Sequence, residues 1–84
     1  MKILLADDHD LFRAGLGMVL GELEADTQLL QAASLTDAIE CALAEPDLDL
    51  ALLDLNMPAM NGNAGLQQFR TQFPQVPVHR IRLG

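Results

Sequence analysis

Residues 50–62 read LALLDLNMPAMNG, and this stretch decides the fold. It begins with a continuous apolar run over residues 50–53, which is typical of a strand that is covered on both faces of a parallel sheet. The run stops at Asp54, and the proline and glycine of residues 56–62 predict a loop. The stretch therefore predicts a buried strand that delivers an acidic side chain to its carboxyl end.

The rest of the chain repeats this alternation of short apolar runs and amphipathic segments. Residues 3–6 form a second apolar run, which is closed by the acidic sequence DDHD at 7–10. Strands that alternate with helices predict an α/β fold with a parallel sheet. In chain order the predicted elements are strand 3–6, helix 10–23, strand 27–33, a helix from Ser34 to the stop at Pro46, strand 50–53, helix 62–73 and strand 76–83.

Composition narrows the class of protein. The chain has 84 residues, which is enough for one small domain, and 5 basic against 12 acidic residues give a net charge of −7. This balance argues against binding of nucleic acid or an anionic membrane by this segment. A single cysteine excludes an internal disulfide framework and favours a reducing, cytoplasmic location. The chain shows no secretion signal and no apolar stretch near the ~20 residues of a membrane span.

Acidic residues follow two of the predicted strands. Asp7 and Asp8 follow the first strand, and Asp54 ends the third. Functional groups of an open parallel sheet gather beyond the carboxyl ends of its strands, so neighbouring strands would bring the three carboxylates together. Mg²⁺ takes such oxygen ligands and would offset their repulsion. The alternative is that Asp7, Asp8 and Asp10 cap the following helix and that Asp54 only ends a strand.

His9 stands next to the acid pair. It offers a possible metal ligand, but a solvent-exposed residue at the start of a helix is the more common interpretation for such a histidine. The sequence leaves both interpretations open.

Residues 4–9 and 52–62 resemble the receiver domain of two-component response regulators, and residues 6–16, ADDHDLFRAGL, resemble receivers that carry a LuxR-type helix-turn-helix output domain. The resemblance covers residues 1 to about 78. It implies a flavodoxin-like, doubly wound parallel sheet and a role in transcriptional regulation for the parent protein. The chain is expected to be one receiver domain over 1–84, truncated in the fourth strand, without an output domain.

The resemblance also implies roles for single residues. Asp54 matches the phosphoacceptor, which takes a phosphoryl group from a sensor histidine kinase. The implied Mg²⁺ site comprises Asp8 as a direct ligand, Asp7 acting through a water, Asp54, and the backbone carbonyl of Asn56. Pro58 and Gly62 match turn residues that shape the loop over the site, and the backbone N–H groups of Leu55 and Asn56 match donors to the phosphoryl oxygens.

The chain departs from the family pattern at two positions. Arg82 aligns with the Ser or Thr at the end of the fourth strand, and the family's lysine after the fifth strand has no counterpart. The only lysine, Lys2, is expected at the opposite end of the first strand. These departures keep open a second hypothesis, that the chain is a phosphorylation-incompetent fragment that retains the acid pocket.

The missing elements also predict a homodimer. Without a final helix, apolar side chains of the first, third and fourth strands are expected to be uncovered, and the fourth strand becomes an open edge. An exposed patch of this kind marks an interface.

An enzyme is not expected. Phosphatases with an aspartate nucleophile use an Asp-x-Asp motif, whereas residues 54–56 read DLN. A nucleotide hydrolase would need a Gly-rich loop that ends in Gly-Lys, and the sequence has none.

Overall fold

The computed structural model describes residues 1–23, 26–57 and 60–81, without the side chains of residues 10, 11, 20 and 23. The predicted order of strands and helices is confirmed. The elements are β1 (Lys2–Ala6), α1 (Asp10–Leu23), β2 (Gln28–Ala32), α2 (Leu35–Ala44), β3 (Leu50–Asp54), α3 (Asn63–Gln72) and β4 (Val78–Ile81).

β4 begins later than the sequence predicts. The backbone N–H of Val76 bonds to the carbonyl of Phe73 at 3.1 Å, in the turn that follows α3. Pro77 then has no N–H to donate, although its carbonyl accepts from Ala51 of β3 at 2.9 Å. Regular pairing therefore starts at Val78, and the predicted strand residues 82 and 83 lie outside the described residues.

The four strands form a parallel sheet in the order β2-β1-β3-β4. This order, with the first strand between the second and third, is that of flavodoxin-like doubly wound sheets. The predicted fold class is confirmed. Ala6 pairs with Leu53, so the last residues of β1 and β3 lie side by side at one edge of the sheet.

The core lies on the face of the sheet that α2 and α3 cover. Leu4 of β1 and Leu53 of β3 point to this face and are fully buried, as is Phe69 of α3. Alternation along β1 sends Ile3 and Leu5 to the opposite face. Both are also buried, so the expectation that apolar side chains of the first strand are uncovered is wrong.

α1 approaches that opposite face closely. A Cβ atom added at Gly17 would lie 2.8 Å from a side-chain carbon of Leu29 in β2, which indicates how tightly the helix packs there. Leu50 and Leu52 of β3 are half-buried, so the cover on this face is incomplete towards β4.

α2 shows how the sequence sets a helix end and its buried face. The Ser34 hydroxyl accepts a hydrogen bond from the Asp37 N–H at 3.1 Å and so caps the start of the helix, which the sequence places at Ser34. Leu35, Ala38 and Ala42 are buried. Leu43 lies outside this buried face and is exposed, because it is turned about 100° from Ala42 around the helix.

Lys2 ties the other end of the sheet together. Its ammonium group lies 2.7 Å from Glu45 and 2.9 Å from Asp47, and its backbone N–H donates to Asp49. The hydrogen bond to Glu45, followed by that to Asp47, raises the pKa of Lys2 above its usual range. The network fixes the segment between α2 and β3 to the start of β1, at the edge of the sheet away from the acidic residues.

No helix in the described ranges is long and apolar enough to span a membrane.

Candidate functional site

Three acidic side chains meet at the carboxyl edge of the sheet. Asp7 follows β1 directly, Asp8 comes next, and Asp54 is the last residue of β3. Asp7 and Asp54 are fully buried, whereas Asp8 reaches solvent. Ligand atoms of these three residues and of His9 all lie within 4.8 Å of one another. The convergence predicted from the strand ends is therefore present in the structure.

The two buried carboxylates are held in the same way. Oδ1 of Asp7 accepts from the N–H of His9 at 2.8 Å, and Oδ1 of Asp54 accepts from the N–H of Asn56 at 2.9 Å. Each is a side-chain bond to the backbone two residues on, which turns the chain sharply at the end of a strand. The second oxygen of each carboxylate, Oδ2, is buried and has no hydrogen-bond partner among the described residues.

Two buried carboxylate oxygens without partners are costly unless a cation offsets them. Burial raises the pKa of Asp54 above its usual range, and the charges of Asp7 and Asp8 add to this shift. The site therefore disfavours its own fully ionised state. Hard oxygen donors that face one another in this way fit a divalent cation such as Mg²⁺.

His9 lies inside the acidic cluster. Its Nδ1 atom is 2.8 Å from Asp7 Oδ1, 3.0 Å from Asp8 Oδ1 and 3.9 Å from Asp54 Oδ2. The hydrogen bond with Asp7 is the main cause that raises the pKa of His9. The ring precedes α1 and its side chain is 54% exposed, so both interpretations of His9 agree with its position. Sequence spacing alone could not show that the ring turns towards the carboxylates.

The loop after Asp54 packs back onto the protein. Met57 and Met60 are buried, and Asn61 and Gly62 have φ values of 50° and 62°, in the left-handed region. A Cβ atom added at Gly65 would lie 2.5 Å from the carbonyl oxygen of Met60, so only glycine allows α3 to approach this loop so closely. The implied role of Gly62 in shaping the turn agrees with this backbone. Pro58 lies outside the described residues.

The backbone N–H groups of Leu55 and Asn56 are not placed as the resemblance implies. The N–H of Leu55 bonds to the carbonyl of Ile81 at 3.1 Å, so it extends the pairing of β3 with β4 and does not face the site. The N–H of Asn56 bonds to Asp54 Oδ1 itself. In this structure neither group is available to a phosphoryl oxygen, because parallel pairing and the turn at Asp54 already use them.

Of the two basic residues considered with the departures from the family pattern, the structure describes only Lys2. Arg82 lies outside the described residues, and Lys2 is at the far end of β1. A cavity of about 360 Å³ lies at the end of β4 and is lined by Leu55, Asn63, Arg80 and Ile81. The sequence did not predict this cavity, because its lining comes from the loop after β3, from α3 and from β4.

The fold and the site together define an α/β protein with an acidic pocket at the carboxyl edge of a parallel sheet. Residues 3–81 match the family described as response regulator receiver domain. The chain belongs to this family, as the motifs in residues 4–9 and 52–62 suggest.

Individual relatives agree with this assignment. The glycerol metabolism activator of Pseudomonas putida is 43% identical over 77 residues, which are 92% of this chain and 35% of that protein. The nitrate/nitrite response regulator protein NarL of Escherichia coli K12 is 44% identical over 69 residues, which are 81% of this chain and 31% of that protein. The chain thus spans about a third of the length of these relatives.

Solved structures show the same fold. The LuxR family DNA-binding response regulator from Silicibacter pomeroyi matches with a TM-score of 0.82 and 28% identity, over 96% of this chain and 62% of that one.

Proposed function

We propose that this chain is a phosphoacceptor in two-component signal transduction and that Asp54 takes the phosphoryl group from a phosphohistidine of a sensor histidine kinase. The orientation of the Asp54 carboxylate supports this role. Asp54 Oδ1 is fixed by the N–H of Asn56, whereas Oδ2 has no hydrogen-bond partner among the described residues and lies 3.9 Å from His9 Nδ1, within the acidic cluster. The residue is thus oriented with one oxygen free to react.

The transfer is a single displacement at phosphorus. An oxygen of Asp54 forms a bond to phosphorus, the bond from phosphorus to the imidazole nitrogen of the donor breaks, and that nitrogen keeps the electron pair and takes a proton. The product is an acyl phosphate on Asp54. The protein is changed by this step and does not turn over a substrate, so we propose an acceptor and not an enzyme.

Mg²⁺ is the proposed cofactor. Asp7, Asp8, Asp54 and the backbone carbonyl of Asn56 would hold it, and the unpartnered oxygens of Asp7 and Asp54 support this assignment. When bound, the ion neutralises charge on the phosphoryl oxygens. The chain's own part is to keep three carboxylates close together before the ion arrives.

A homodimer is the second part of the proposal. Met18 and Val19 of α1 are adjacent and are 70% and 52% exposed, and cover over β3 is incomplete on the same side of the sheet. An isologous contact between two copies would bury these residues. Sedimentation at tens of micromolar is expected to give a dimer that Met18→Glu dissociates, and a monomeric wild type would contradict this part.

The wider setting is proposed from the relatives. Two of them are named as an activator and as a response regulator, so we propose that a longer parent protein regulates transcription in the cytoplasm. With a net charge of −7 this segment itself is not proposed to contact nucleic acid or membrane.

The phosphorylation-incompetent fragment remains the second candidate, because Lys2 is engaged by Glu45 and Asp47 far from the pocket. Acetyl phosphate with Mg²⁺ separates the two candidates when the mass of the intact protein is read. The proposal expects one added phosphoryl group on the wild type and none on Asp54→Asn. Asp47→Asn, a matched change outside the pocket, should gain the group like the wild type. A folded wild type that gains nothing would favour the fragment.

A further inference from the structure

The imidazole of His9 takes no part in the proposed transfer, yet it stands where the carboxylates converge. Its Nδ1 atom contacts one oxygen of Asp7 at 2.8 Å and one of Asp8 at 3.0 Å, and it lies 3.9 Å from Asp54 Oδ2. The hydrogen bond with Asp7 and the contact with Asp8 place the ring nitrogen at the point where the three acids meet.

The shortest of these contacts is a hydrogen bond in the metal-free protein, and the same separations also fit atoms that share one metal ion. Ligands about 2.1 Å from an octahedral ion lie about 3.0 Å apart when adjacent and about 4.2 Å apart when opposite. The two short distances from Nδ1 match adjacent ligands, and the distance to Asp54 approaches that of opposite ones. A zinc–nitrogen bond is of similar length, about 2.0–2.1 Å.

A second observation points to a bound cation independently of His9. Asp7 and Asp54 are fully buried, and Oδ2 of each has no hydrogen-bond partner among the described residues. The pocket therefore combines unsatisfied oxygen donors with one nitrogen donor, all within 4.8 Å.

We infer that Nδ1 of His9 is a nitrogen ligand of this pocket and that it raises the pocket's affinity for a divalent transition metal, such as Zn²⁺ or Co²⁺, relative to its affinity for Mg²⁺. Imidazole suits zinc and its neighbours, whereas Mg²⁺ takes oxygen ligands and dehydrates reluctantly. The inference deepens the proposed function, on which it rests, because it concerns the metal of the same site. Binding replaces the hydrogen bond between Nδ1 and Asp7, and the proton on Nδ1 goes to solvent if the ring is an imidazolium or to Nε2 if the ring is neutral.

The competing account is that His9 is only a positive counter-charge for the acids. The two accounts predict different results when the ring is removed. Loss of a ligand weakens Zn²⁺ binding relative to the wild type. Loss of a counter-charge leaves the affinities for Zn²⁺ and Mg²⁺ unchanged or raises both.

Calorimetric titration of the metal-free protein with ZnCl₂ and with MgCl₂ decides between them. The inference expects that His9→Gln weakens Zn²⁺ binding at least about tenfold and changes Mg²⁺ binding less than about threefold. Tenfold is about the smallest loss of metal affinity that follows when a group supporting a metal ligand is removed, so loss of a ligand itself should cost at least as much. His79→Gln is the matched control, because His79 is exposed on β4, and it should bind both ions like the wild type. Circular dichroism checks that each variant is folded.

A readout on the wild type needs no variant. Titration with Zn²⁺ should shift the ¹⁵N resonance of His9 Nδ1 and leave that of His79 in place. An unmoved His9 resonance, or equal Zn²⁺ affinity in wild type and folded His9→Gln, overturns the inference. If the wild type is phosphorylated in Mg²⁺ while either result is found, only the inference fails. If His9 ligates Zn²⁺ but Asp54 gains no phosphoryl group in Mg²⁺, the proposed function fails instead.

Discussion

Replacing Asp54 by Asn is expected to stabilise the protein when no metal is present. Asp54 is fully buried, and its carboxylate shares the pocket with those of Asp7 and Asp8. Asparagine has nearly the same shape, and its amide oxygen can still accept the hydrogen bond from the N–H of Asn56. The substitution therefore removes one negative charge and leaves the local backbone as it is.

The size of the effect follows from the spacing of the acids. Ligand atoms of the pocket lie within 4.8 Å of one another. Two unit charges at about that distance repel by about 3.5 kcal/mol at an effective dielectric constant of about 20. The nearby imidazole of His9 and solvent screening reduce this, so we expect Asp54→Asn to raise the free energy of unfolding by about 2 kcal/mol at pH 8 in a chelator.

The same reasoning gives a dependence on pH. Burial raises the pKa of Asp54 in the folded state, so over a window that opens near pH 4 the native state holds more protons than the unfolded state. The stability linked to this group is fully present below that window and is lost as the pH rises through the folded pKa. Asp54→Asn lacks this decline, so the difference between its free energy of unfolding and that of the wild type should grow from pH 4 upwards.

Urea unfolding followed by far-ultraviolet circular dichroism measures both effects, since the chain has no Trp or Tyr to serve as a fluorescent probe. Asp47→Asn is the matched control. It also removes one negative charge, but it loses the contact with Lys2 that lowers the pKa of Asp47, so it should give no gain. If Asp54→Asn is no more stable than the wild type at pH 8, the account of an electrostatically strained pocket is wrong.

Three further changes test the packing around the pocket by the same unfolding assay. Gly65→Ala should lower the free energy of unfolding by about 1–3 kcal/mol, because the new Cβ would meet the backbone of Met60; an unchanged value would contradict the close approach. Gly21→Ala should raise it by up to about 1 kcal/mol, since no neighbouring atom in the described part of the chain lies within 4 Å of a Cβ atom added there, and a loss would show a contact that the structure lacks. Ser34→Ala should cost about 1 kcal/mol through the lost bond to the Asp37 N–H, and a neutral result would refute the cap.

Much of the fold follows from local patterns in the sequence. The apolar run at 50–53 and the spacing of Leu35, Ala38 and Ala42 report burial through periodicity, which each segment carries by itself. The convergence of Asp7 and Asp54 needed only one further assumption, that the first and third strands are neighbours. The pairing of Ala6 with Leu53 bears that assumption out.

Other features depend on contacts that no single segment encodes. The ring of His9 turns into the pocket because Asp7 and Asp8 offer it hydrogen-bond acceptors, and the spacing of residues does not show a side-chain direction. The N–H of Leu55 is used because β4 supplies the carbonyl of Ile81 beside it. The sequence motif names the residues of the pocket, whereas the partners of their backbone groups are set by the sheet.

The most direct test of the central claim is to locate the phosphoryl group under conditions that separate its requirements. The wild-type chain is incubated with acetyl phosphate in Mg²⁺ or in a chelator, and peptides are then mapped by tandem mass spectrometry. The account predicts a phosphoryl group on Asp54 in Mg²⁺ and on no residue in the chelator. A modification on another residue, or one on Asp54 that forms equally fast in the chelator, would contradict it.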